Sequence, residues 1–431
     1  MSERTESTSK QSPPKEVSSE LLALYQKKRY ADAKRKALSL TKEFPFFPFG
    51  WKVLGAVLGN MGMISEALKA NQMVVELSPE DARAHGNLGI TLREAGKLKE
   101  SEFHCRQAIA LESDFAEAHN NLGNTLNSLG RYEEAEVSFS QALALDPDYQ
   151  SALYNRCRLL FSLGKYDAAL IDAESCSFKK ARVLTLQSLY AMGRVDEVYD
   201  RLEEFSKIDG ENLRVAAFAA FISQVEKRST AYQFCPSPLS FLYVSNLASH
   251  VEDTLAFTAD VIKAIDKLEN VKDPFGSATN GGLSTPRGTN LFEIPSEEIS
   301  QLKSIILNEL EAYKSKFQRE SCNYIKNWPS GATIWGWQVT LKKLGYQQTH
   351  IHAGGWLSGV IYLKVVPSLD NNQGAIKFSL NGADYEDSRS TELIHQPEAG
   401  DIVLFPSSLH HSTIPFTTET ERTIVSFDLV P

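Results

Sequence analysis

Three histidines near the C-terminus have the residue type and the spacing of a metal site. His350 and His352 are separated by one residue, and His411 follows later in the chain. Side chains two residues apart on a β-strand point to the same face, so both imidazoles of the pair could reach one ion. Imidazole nitrogens bind iron, zinc, copper and nickel alike, so these residues predict a metal centre without identifying its metal.

The elements that must position these histidines are short β-strands. From Gly331 onward, apolar and polar residues alternate, β-forming residues predominate, and turn residues separate the runs. The segments that we predict as strands are 332–341, 355–366, 374–380, 401–405 and 422–430. Many short strands in a segment of this length are typical of a β-sandwich, a jelly roll or a barrel.

Three stretches of this β-rich region resemble the iron(II)- and 2-oxoglutarate-dependent oxygenases. They read GYQQTHIHAGGWLSGVIYLKV at 345–365, GAIKFSLNGADY at 374–385, and LFPSSLHHSTIPF at 404–416, the last followed by ERTIVSFDLVP. More narrowly, they look like a bacterial branch of these oxygenases that is often fused to tetratricopeptide repeats. The resemblance implies a double-stranded β-helix (a jelly roll) with its core at 331–431. It also implies iron(II), 2-oxoglutarate and O2 as cofactor and cosubstrates.

The metal ligands depart from the usual pattern of that superfamily, in which a His-x-Asp or His-x-Glu pair and a distal histidine hold the iron. The branch's motif FPSSLxHxT makes His411 the distal ligand and leaves His410 at a variable position. No carboxylate follows His350 or His352 at the expected spacing. One solution is a three-histidine set of His350, His352 and His411. A second uses His352 and His411 alone, with Gly354 in the carboxylate position as in the aspartyl/asparaginyl β-hydroxylases. In the third, these residues bind no metal.

The same resemblance assigns three further residues to the cosubstrate. Arg422 lies eleven residues after His411 and would bind the far carboxylate of 2-oxoglutarate. A guanidinium binds a carboxylate in a bidentate fork, and it stays charged. Tyr362 would donate its hydroxyl to the same carboxylate. Ser426 shares a strand face with Arg422 and could add a contact. The superfamily's usual Arg-x-Ser would instead place serine at position 424, which is Ile424 here.

The N-terminal half carries a second pattern, which recurs every 34 residues. Glycines recur at this interval as Gly55, Gly89 and Gly123, and Pro79 and Pro147 end two of the units. The pattern resembles the tetratricopeptide repeat, a helix–turn–helix unit that stacks into an α-solenoid. We place clear repeats at 48–81, 82–115 and 116–149, weaker ones at 14–47 and from 150, a degenerate sixth over 184–205, and a capping helix at 213–225.

Three asparagines in the third clear repeat could bind a peptide. Asn120, Asn124 and Asn127 lie at i, i+4 and i+7, so they share one helix face. Their amides could form hydrogen bonds with the backbone of an extended peptide on the concave surface of the solenoid. The alternative is an ordinary solvated polar face.

These patterns predict a multidomain α + β chain with an N-terminal solenoid and a C-terminal double-stranded β-helix. We expect a disordered tail at 1–16, the repeat array with its capping helix at 17–225, a connector at 226–245, and the oxygenase domain at 246–431. Within that domain we expect flanking helices at 247–268 and 296–317, and a loop at 273–290 that is rich in Gly, Ser, Thr and Pro.

Composition narrows the class of protein. The formal net charge of −9 disfavours a nucleic-acid binder. The five cysteines are scattered and lack CxxC spacing, which suits the reducing cytoplasm and argues against a disulfide framework. We expect neither a secretory signal nor a membrane span, because no apolar run is long enough for either.

The leading hypothesis is therefore an iron(II)- and 2-oxoglutarate-dependent dioxygenase, a hydroxylase, whose repeats recruit a protein or peptide. The missing ligand carboxylate motivates an alternative, a non-catalytic repeat scaffold with a degenerate oxygenase domain. A weaker third hypothesis is a cupin-like metal enzyme or a sugar-binding β-domain that does not depend on 2-oxoglutarate.

Overall fold

The computed structural model describes residues 12–268, 271–272, 278–286, 288–367 and 370–431. The described residues up to Ser177 belong to a first compact unit, and most of those from Phe178 onward belong to a second. Most of the tail that we predicted to be disordered lies outside the described residues, and the first helix begins at Lys15. Among the described residues, no helix combines the length and the apolar character that a bilayer span requires.

The first unit is a stack of helix pairs. Its helices are α1 (Lys15–Gln26), α2 (Tyr30–Glu43), α3 (Pro48–Asn60), α4 (Ile64–Leu77), α5 (Ala82–Glu94), α6 (Leu98–Leu111), α7 (Ala116–Ser128), α8 (Tyr132–Leu145), α9 (Gln150–Ser162) and α10 (Tyr166–Ser175). Each predicted repeat up to the one beginning at 150 contains two of these helices. This arrangement confirms the α-solenoid.

Glycine lets the two helices of a repeat approach closely. A Cβ added at Gly123 of α7 would lie 2.6 Å from Cε1 of Phe139 in α8, well inside van der Waals contact. Phe139 is buried in a cluster with Leu126 and Ala135. The turn between the helices places Gly130 at φ +75°, a backbone conformation that favours glycine. The recurring glycines of the sequence therefore have a packing role.

Two Gly→Ala substitutions should change stability in opposite directions. Gly123→Ala should lower the free energy of unfolding by about 1 kcal/mol or more, because overpacking outweighs the gain in helix propensity. Gly59→Ala in α3 should raise it by about 0.5–1 kcal/mol, because no atom lies within 4 Å of the added Cβ. Urea denaturation followed by circular dichroism measures both. A destabilised Gly59→Ala, or a Gly123→Ala that matches it, would contradict this packing argument.

The second unit contains six α-helices in its described part. They are α11 (Arg182–Ala191), α12 (Val195–Ile208), α13 (Leu213–Val225), α14 (Thr254–Ile265), α15 (Glu297–Phe317) and α16 (Asn323–Lys326). The degenerate repeat and the capping helix, which we grouped with the array at 17–225, form α11, α12 and α13 and lie within this unit.

Its strands form two sheets. They are β1 (Tyr243–Asn246), β2 (Val271–Lys272), β3 (Thr279–Ser284), β4 (Thr333–Gln347), β5 (Leu357–Lys364), β6 (Ile376–Ser379), β7 (Glu392–His395), β8 (Asp401–Pro406), β9 (His410–Thr413) and β10 (Arg422–Val430). One sheet has seven strands in the order β1-β8-β5-β10-β4-β3-β2, and the other has the order β7-β6-β9. Two antiparallel sheets of this kind are consistent with the jelly-roll fold that the sequence predicted.

Two predictions for the middle of the chain need correction. The expected loop at 273–290 contains β3, which pairs with β4 through Leu283 and Thr340. The expected connector at 226–245 runs into β1, in which Tyr243 pairs with Leu404 of β8. Both strands lie towards the edges of the larger sheet, so pairing with a longer neighbour compensates for their weak local β-pattern.

The central strand β10 carries the candidate site residues on one face. Arg422, Ser426 and Asp428 are separated by even numbers of residues, so their side chains share a face. In the neighbouring strand β5, Ser358 lies opposite Asp428. Every residue of β5 except Lys364 is buried. This face of the sheet lines the interior of the jelly roll.

Candidate metal centre

The three predicted histidines converge at one place. One ring nitrogen from each of His350, His352 and His411 lies within 4.8 Å of the other two. Backbone pairing brings the first and last together, because His350 and His411 each donate an N–H to the other's carbonyl oxygen at 3.0 Å. The group is largely buried, and His411 is only 5% exposed.

In each of the three rings, it is Nδ1 that lies beside an oxygen acceptor. Nδ1 of His350 lies 2.7 Å from the carbonyl oxygen of Gln348, and Nδ1 of His411 lies 3.2 Å from that of Leu409. Nδ1 of His352 lies 2.6 Å from Oδ1 of Asp428. Because a carbonyl or carboxylate oxygen accepts, each Nδ1 carries the proton, and each Nε2 keeps its lone pair.

Two of these lone pairs face each other without a proton between them. Nε2 of His350 and Nε2 of His352 are 3.3 Å apart. Burial, reinforced by His352, lowers the pKa of His350 to about 4, and burial lowers the pKa of His411 well below its usual value. At neutral pH His350 and His411 are therefore uncharged bases. A cation among the three Nε2 atoms would satisfy them, as imidazole ligation requires.

Asp428 is a site residue that the sequence reasoning missed. Its Oδ1 accepts hydrogen bonds from His352 and from the hydroxyl of Ser358, at 2.6 Å each. The Ser358 hydroxyl also lies 2.7 Å from that of Ser407. The usual ligand pair contains a carboxylate that this sequence lacks. Here the carboxylate of Asp428 instead forms a hydrogen bond with Nδ1 of His352. An acidic residue between the apolar residues Phe427 and Leu429 was the available signal.

Asp428→Asn should weaken metal binding by about 10- to 100-fold, the usual effect of losing a partner behind a ligand histidine. The amide lacks the negative charge that makes the imidazole more basic and fixes its tautomer. Calorimetric titration of the chelator-treated protein with a divalent metal measures the effect. Asp401→Asn is the matched control, because Asp401 accepts from Nε2 of His395 at 3.0 Å, outside the histidine group. Equal losses of metal affinity in Asp428→Asn and Asp401→Asn would show a general effect of replacing a buried carboxylate with an amide.

Arg422 is a buried cation with no carboxylate partner among the described residues. It is 1% exposed, and its only hydrogen bond to the described residues runs from Nη2 to the hydroxyl of Tyr362 at 3.4 Å. Its Nε and Nη1 have no partner there. Burial raises the pKa of Tyr362, against the opposing effect of Arg422, so the phenol remains a donor. Because unpaired buried charge is strongly disfavoured, the pair favours an anionic ligand between them.

Aromatic side chains surround the histidines. The ring of Trp337 lies 5.4 Å from that of His352, and the ring of Phe405 lies 4.7 Å from that of His411. Trp335 lies two residues away on the same strand face as Trp337 and is 38% exposed. Ser426, also predicted for the site, is 4% exposed and pairs with Trp337 across neighbouring strands.

The geometry bears on two of the three alternatives that the sequence left open. The ring of His410 packs 5.7 Å from that of Tyr385, and the group of potential ligands contains His411 but not His410. Burial, with smaller contributions from His350 and Arg214, lowers the pKa of His410 to about 3. Since His350 lies within the group, the geometry favours three histidine ligands over a two-histidine site.

The predicted peptide-binding asparagines differ in accessibility. Asn120 is 4% exposed, and its Oδ1 accepts a hydrogen bond from Nδ2 of Asn155 at 3.0 Å. Asn124 is half-buried, and Asn127 is exposed. Of the three, only Asn124 and Asn127 offer accessible amides. Peptide binding at this face stays a prediction, in which Asn120 supports the surface through Asn155.

The solved structures that resemble this chain share only low sequence identity with it. PilW, a type IV pilus biogenesis factor, is 16% identical over 45% of this chain and 92% of its own, with a TM-score of 0.42. The pilF protein of Pseudomonas aeruginosa is 16% identical over 48% and 96%, with a TM-score of 0.41. A thermophilic TPR protein of Thermus thermophilus is 23% identical over 43% and 97%, with a TM-score of 0.35.

Family models match two segments of the sequence, whereas no curated protein matches it. Residues 336–428 match the family described as "Putative 2OG-Fe(II) oxygenase", in which 2OG stands for 2-oxoglutarate. This segment contains all three histidines, Tyr362, Arg422 and Asp428. Residues 116–149 match the tetratricopeptide repeat. The chain thus combines a segment at 116–149 that matches the tetratricopeptide repeat with a segment at 336–428 that matches the oxygenase family.

Proposed function

We propose that this protein is an iron(II)- and 2-oxoglutarate-dependent dioxygenase that hydroxylates a protein or peptide recruited by its repeats. The family match at 336–428 supports an oxygenase at the level of the family. The observation that carries the cosubstrate is Arg422, a guanidinium that is 1% exposed and has two nitrogens without a partner in the described structure. A carboxylate of 2-oxoglutarate would supply the missing charge and acceptors.

The donor set fits a bound iron(II). His350, His352 and His411 would hold the metal through Nε2, and Asp428 would keep His352 in the correct tautomer. When bound, iron(II) supplies the activation of O2 and the oxidative decarboxylation of 2-oxoglutarate to succinate. Three protein ligands on one side of a metal leave other positions open for the cosubstrate and for O2.

The interior of the jelly roll has two chemically different ends. The backbone positions of Arg422 and Asp428 on β10 are about 20 Å apart at ordinary strand spacing, and the long side chain of Arg422 and the imidazole of His352 can each span part of that distance. One end offers metal ligands, and the other offers a guanidinium with the Tyr362 hydroxyl beside it. A ligand with a chelating group at one end and a carboxylate at the other matches this arrangement. Ser426 lies between the two ends and would contact the ligand along its length.

The chain's other contribution is to exclude water and to recruit the substrate. Trp337 and Phe405 form apolar walls against the histidines, which would shield the reacting groups from bulk solvent. Tetratricopeptide repeats generally mediate protein–protein interactions, and Asn124 and Asn127 would provide amides for a peptide backbone. A cytoplasmic location, predicted from the scattered cysteines, is part of the same proposal.

The proposal is tested by comparing two metals in the same site. Chelator-treated protein is loaded anaerobically with iron(II) or with zinc, and 2-oxoglutarate and O2 are then added. We expect both metals to bind, and we expect succinate only from the iron-loaded sample, because zinc has no redox chemistry. Binding of 2-oxoglutarate is measured in parallel by calorimetry on the zinc-loaded protein.

Two results would contradict the proposal. Failure of the protein to bind either iron or 2-oxoglutarate would favour the non-catalytic scaffold. Metal binding without any binding of 2-oxoglutarate would favour a cupin-like site that uses a different chemistry. Binding of both without succinate would direct the search to the prime substrate, since many enzymes of this kind turn over slowly without it.

A further inference from the structure

A cavity of about 890 Å³ lies beside the candidate metal centre within the second unit. Ala353 and Gly354, which directly follow the ligand His352, form one wall. Asn323 and Asn327 at α16 form another, and the turn before α13 forms a third. This volume is typical of a site that encloses a substrate. Its lining includes the two residues that follow His352 but none of the three histidines.

The lining of this cavity carries more positive than negative charge. Lys179, Lys180 and Arg214 are its cations, and Asp209 and Glu211 are its anions. The carboxylate of Asp209 is neutralised by Lys179 at 3.0 Å, and also by Arg182. Glu211 accepts a hydrogen bond from Nδ2 of Asn327 at 3.0 Å.

Arg214 differs from the other cations of the cavity. It is half-buried in the first turn of α13, and it forms no ion pair with any residue in the described ranges. The N-cap Asn212 accepts from the backbone N–H groups of Arg214 and Val215, so the positive end of the helix also faces this region. A half-buried guanidinium without a counter-charge favours a ligand that brings one.

The side chain of Asn323 adds a neutral recognition element. It lines the same cavity, and its backbone N–H is already used in a hydrogen bond to the carbonyl oxygen of Gln233 at 3.0 Å. Its side-chain amide can both donate and accept, which matches the groups of a peptide backbone. The combination of a guanidinium and an amide on adjoining walls suits an acidic peptide segment.

We propose that this cavity binds the prime substrate of the enzyme and that Arg214 pairs with a carboxylate on an acidic peptide segment. The inference rests on the proposed function only for the reaction that follows binding. Binding itself requires neither metal nor turnover. Peptide binding can therefore be absent while the oxygenase proposal stands, and the oxygenase proposal can fail while peptide binding stands.

The test measures peptide affinity in the metal-free full chain without 2-oxoglutarate. The probe is a fluorescein-labelled Gly-Gly-Glu-Gly-Gly peptide with blocked ends, and its counterpart has Gln in place of Glu. Fluorescence anisotropy should show binding of the Glu peptide at least tenfold tighter than that of the Gln peptide. Arg214→Gln should remove this preference. Arg319→Gln, which deletes the same charge at an exposed position of the same unit, should retain it.

A second variant tests the cavity independently of charge. Gly354→Leu should place a large side chain at this wall of the cavity, where an added Cβ meets no atom within 4 Å. We expect it to weaken the Glu peptide at least tenfold while the unfolding temperature stays unchanged. N-acetylglutamate as competitor separates two sources of the carboxylate. Competition at similar concentration means that the carboxylate suffices, and absence of competition means that the peptide backbone is also bound.

Three outcomes would overturn the proposal. In the first, the Glu and Gln peptides bind equally well or not at all. In the second, Arg214→Gln keeps the preference for Glu. In the third, Arg319→Gln loses that preference as fully as Arg214→Gln does, which would mean a diffuse electrostatic attraction instead of a site.

Discussion

Substituting His411 by alanine is expected to weaken metal binding by more than about 100-fold, beyond the usual effect of losing a residue behind a ligand. His411 contributes one of the three converging ring nitrogens and is 5% exposed. With its imidazole removed, the remaining pair cannot enclose an ion on one side. Succinate formation should disappear together with the metal. Calorimetric titration with iron(II) or zinc, combined with a succinate assay, measures both effects.

His410→Ala is the matched control for this substitution. His410 is the same residue type, adjacent in the chain and 9% exposed, but its ring packs against Tyr385 and is not one of the converging rings. It should retain metal affinity within a few-fold of the wild type. If His410→Ala loses the metal while His411→Ala keeps it, the distal ligand has been assigned to the wrong neighbour. If both keep it, the histidine group is not the metal site.

Substituting Arg422 by methionine should have two effects of opposite sign. Loss of the guanidinium should weaken 2-oxoglutarate binding by about 2–5 kcal/mol, the usual effect of truncating a buried charge pair, which is roughly 30- to 4000-fold in the dissociation constant. The ligand-free variant should nevertheless unfold at a higher temperature than the wild type. Its methionine replaces a desolvated cation whose partners among the described residues are the hydroxyl and the ring of Tyr362.

Two measurements separate these effects of Arg422. Calorimetry on the zinc-loaded protein gives the affinity for 2-oxoglutarate, and differential scanning calorimetry without ligand gives the stability. Arg422→Lys should recover part of the affinity, because it restores the charge without the bidentate fork. A ligand-free Arg422→Met protein that is destabilised would indicate that Arg422 has an intramolecular role. Unchanged affinity for 2-oxoglutarate would remove Arg422 from the proposed cosubstrate site.

The sequence predicts the solenoid and the core strands well because both depend on local periodicity. The repeat positions of Gly89 and Gly123 predict helix pairs, and alternation predicts β5, β8 and β10 closely. Several strands are not indicated by the sequence pattern, and two of them, β1 and β3, depend on pairing with distant partners. Leu283 in β3, for example, pairs with Thr340 in β4.

The candidate site shows the same division between local and distant information. The three candidate histidines follow from residue type and spacing, and Arg422 follows from the resemblance to the oxygenases. The roles of His350 and Asp428 do not, because each depends on a contact with a residue far away in the chain. His350 pairs with His411 through the backbone, and Asp428 accepts from His352, 76 residues away. No local pattern specifies either contact.

The backbone pairing of His350 with His411 has a consequence for how the site acquires its metal. Each of the two residues donates its N–H to the other at 3.0 Å. These backbone hydrogen bonds, which need no ion to form, therefore bring the two candidate ligands together. Small metal-dependent domains fold only when their ion binds. Here, the chelator-treated protein would keep its native structure, and loading would be a single second-order encounter whose rate rises linearly with metal concentration.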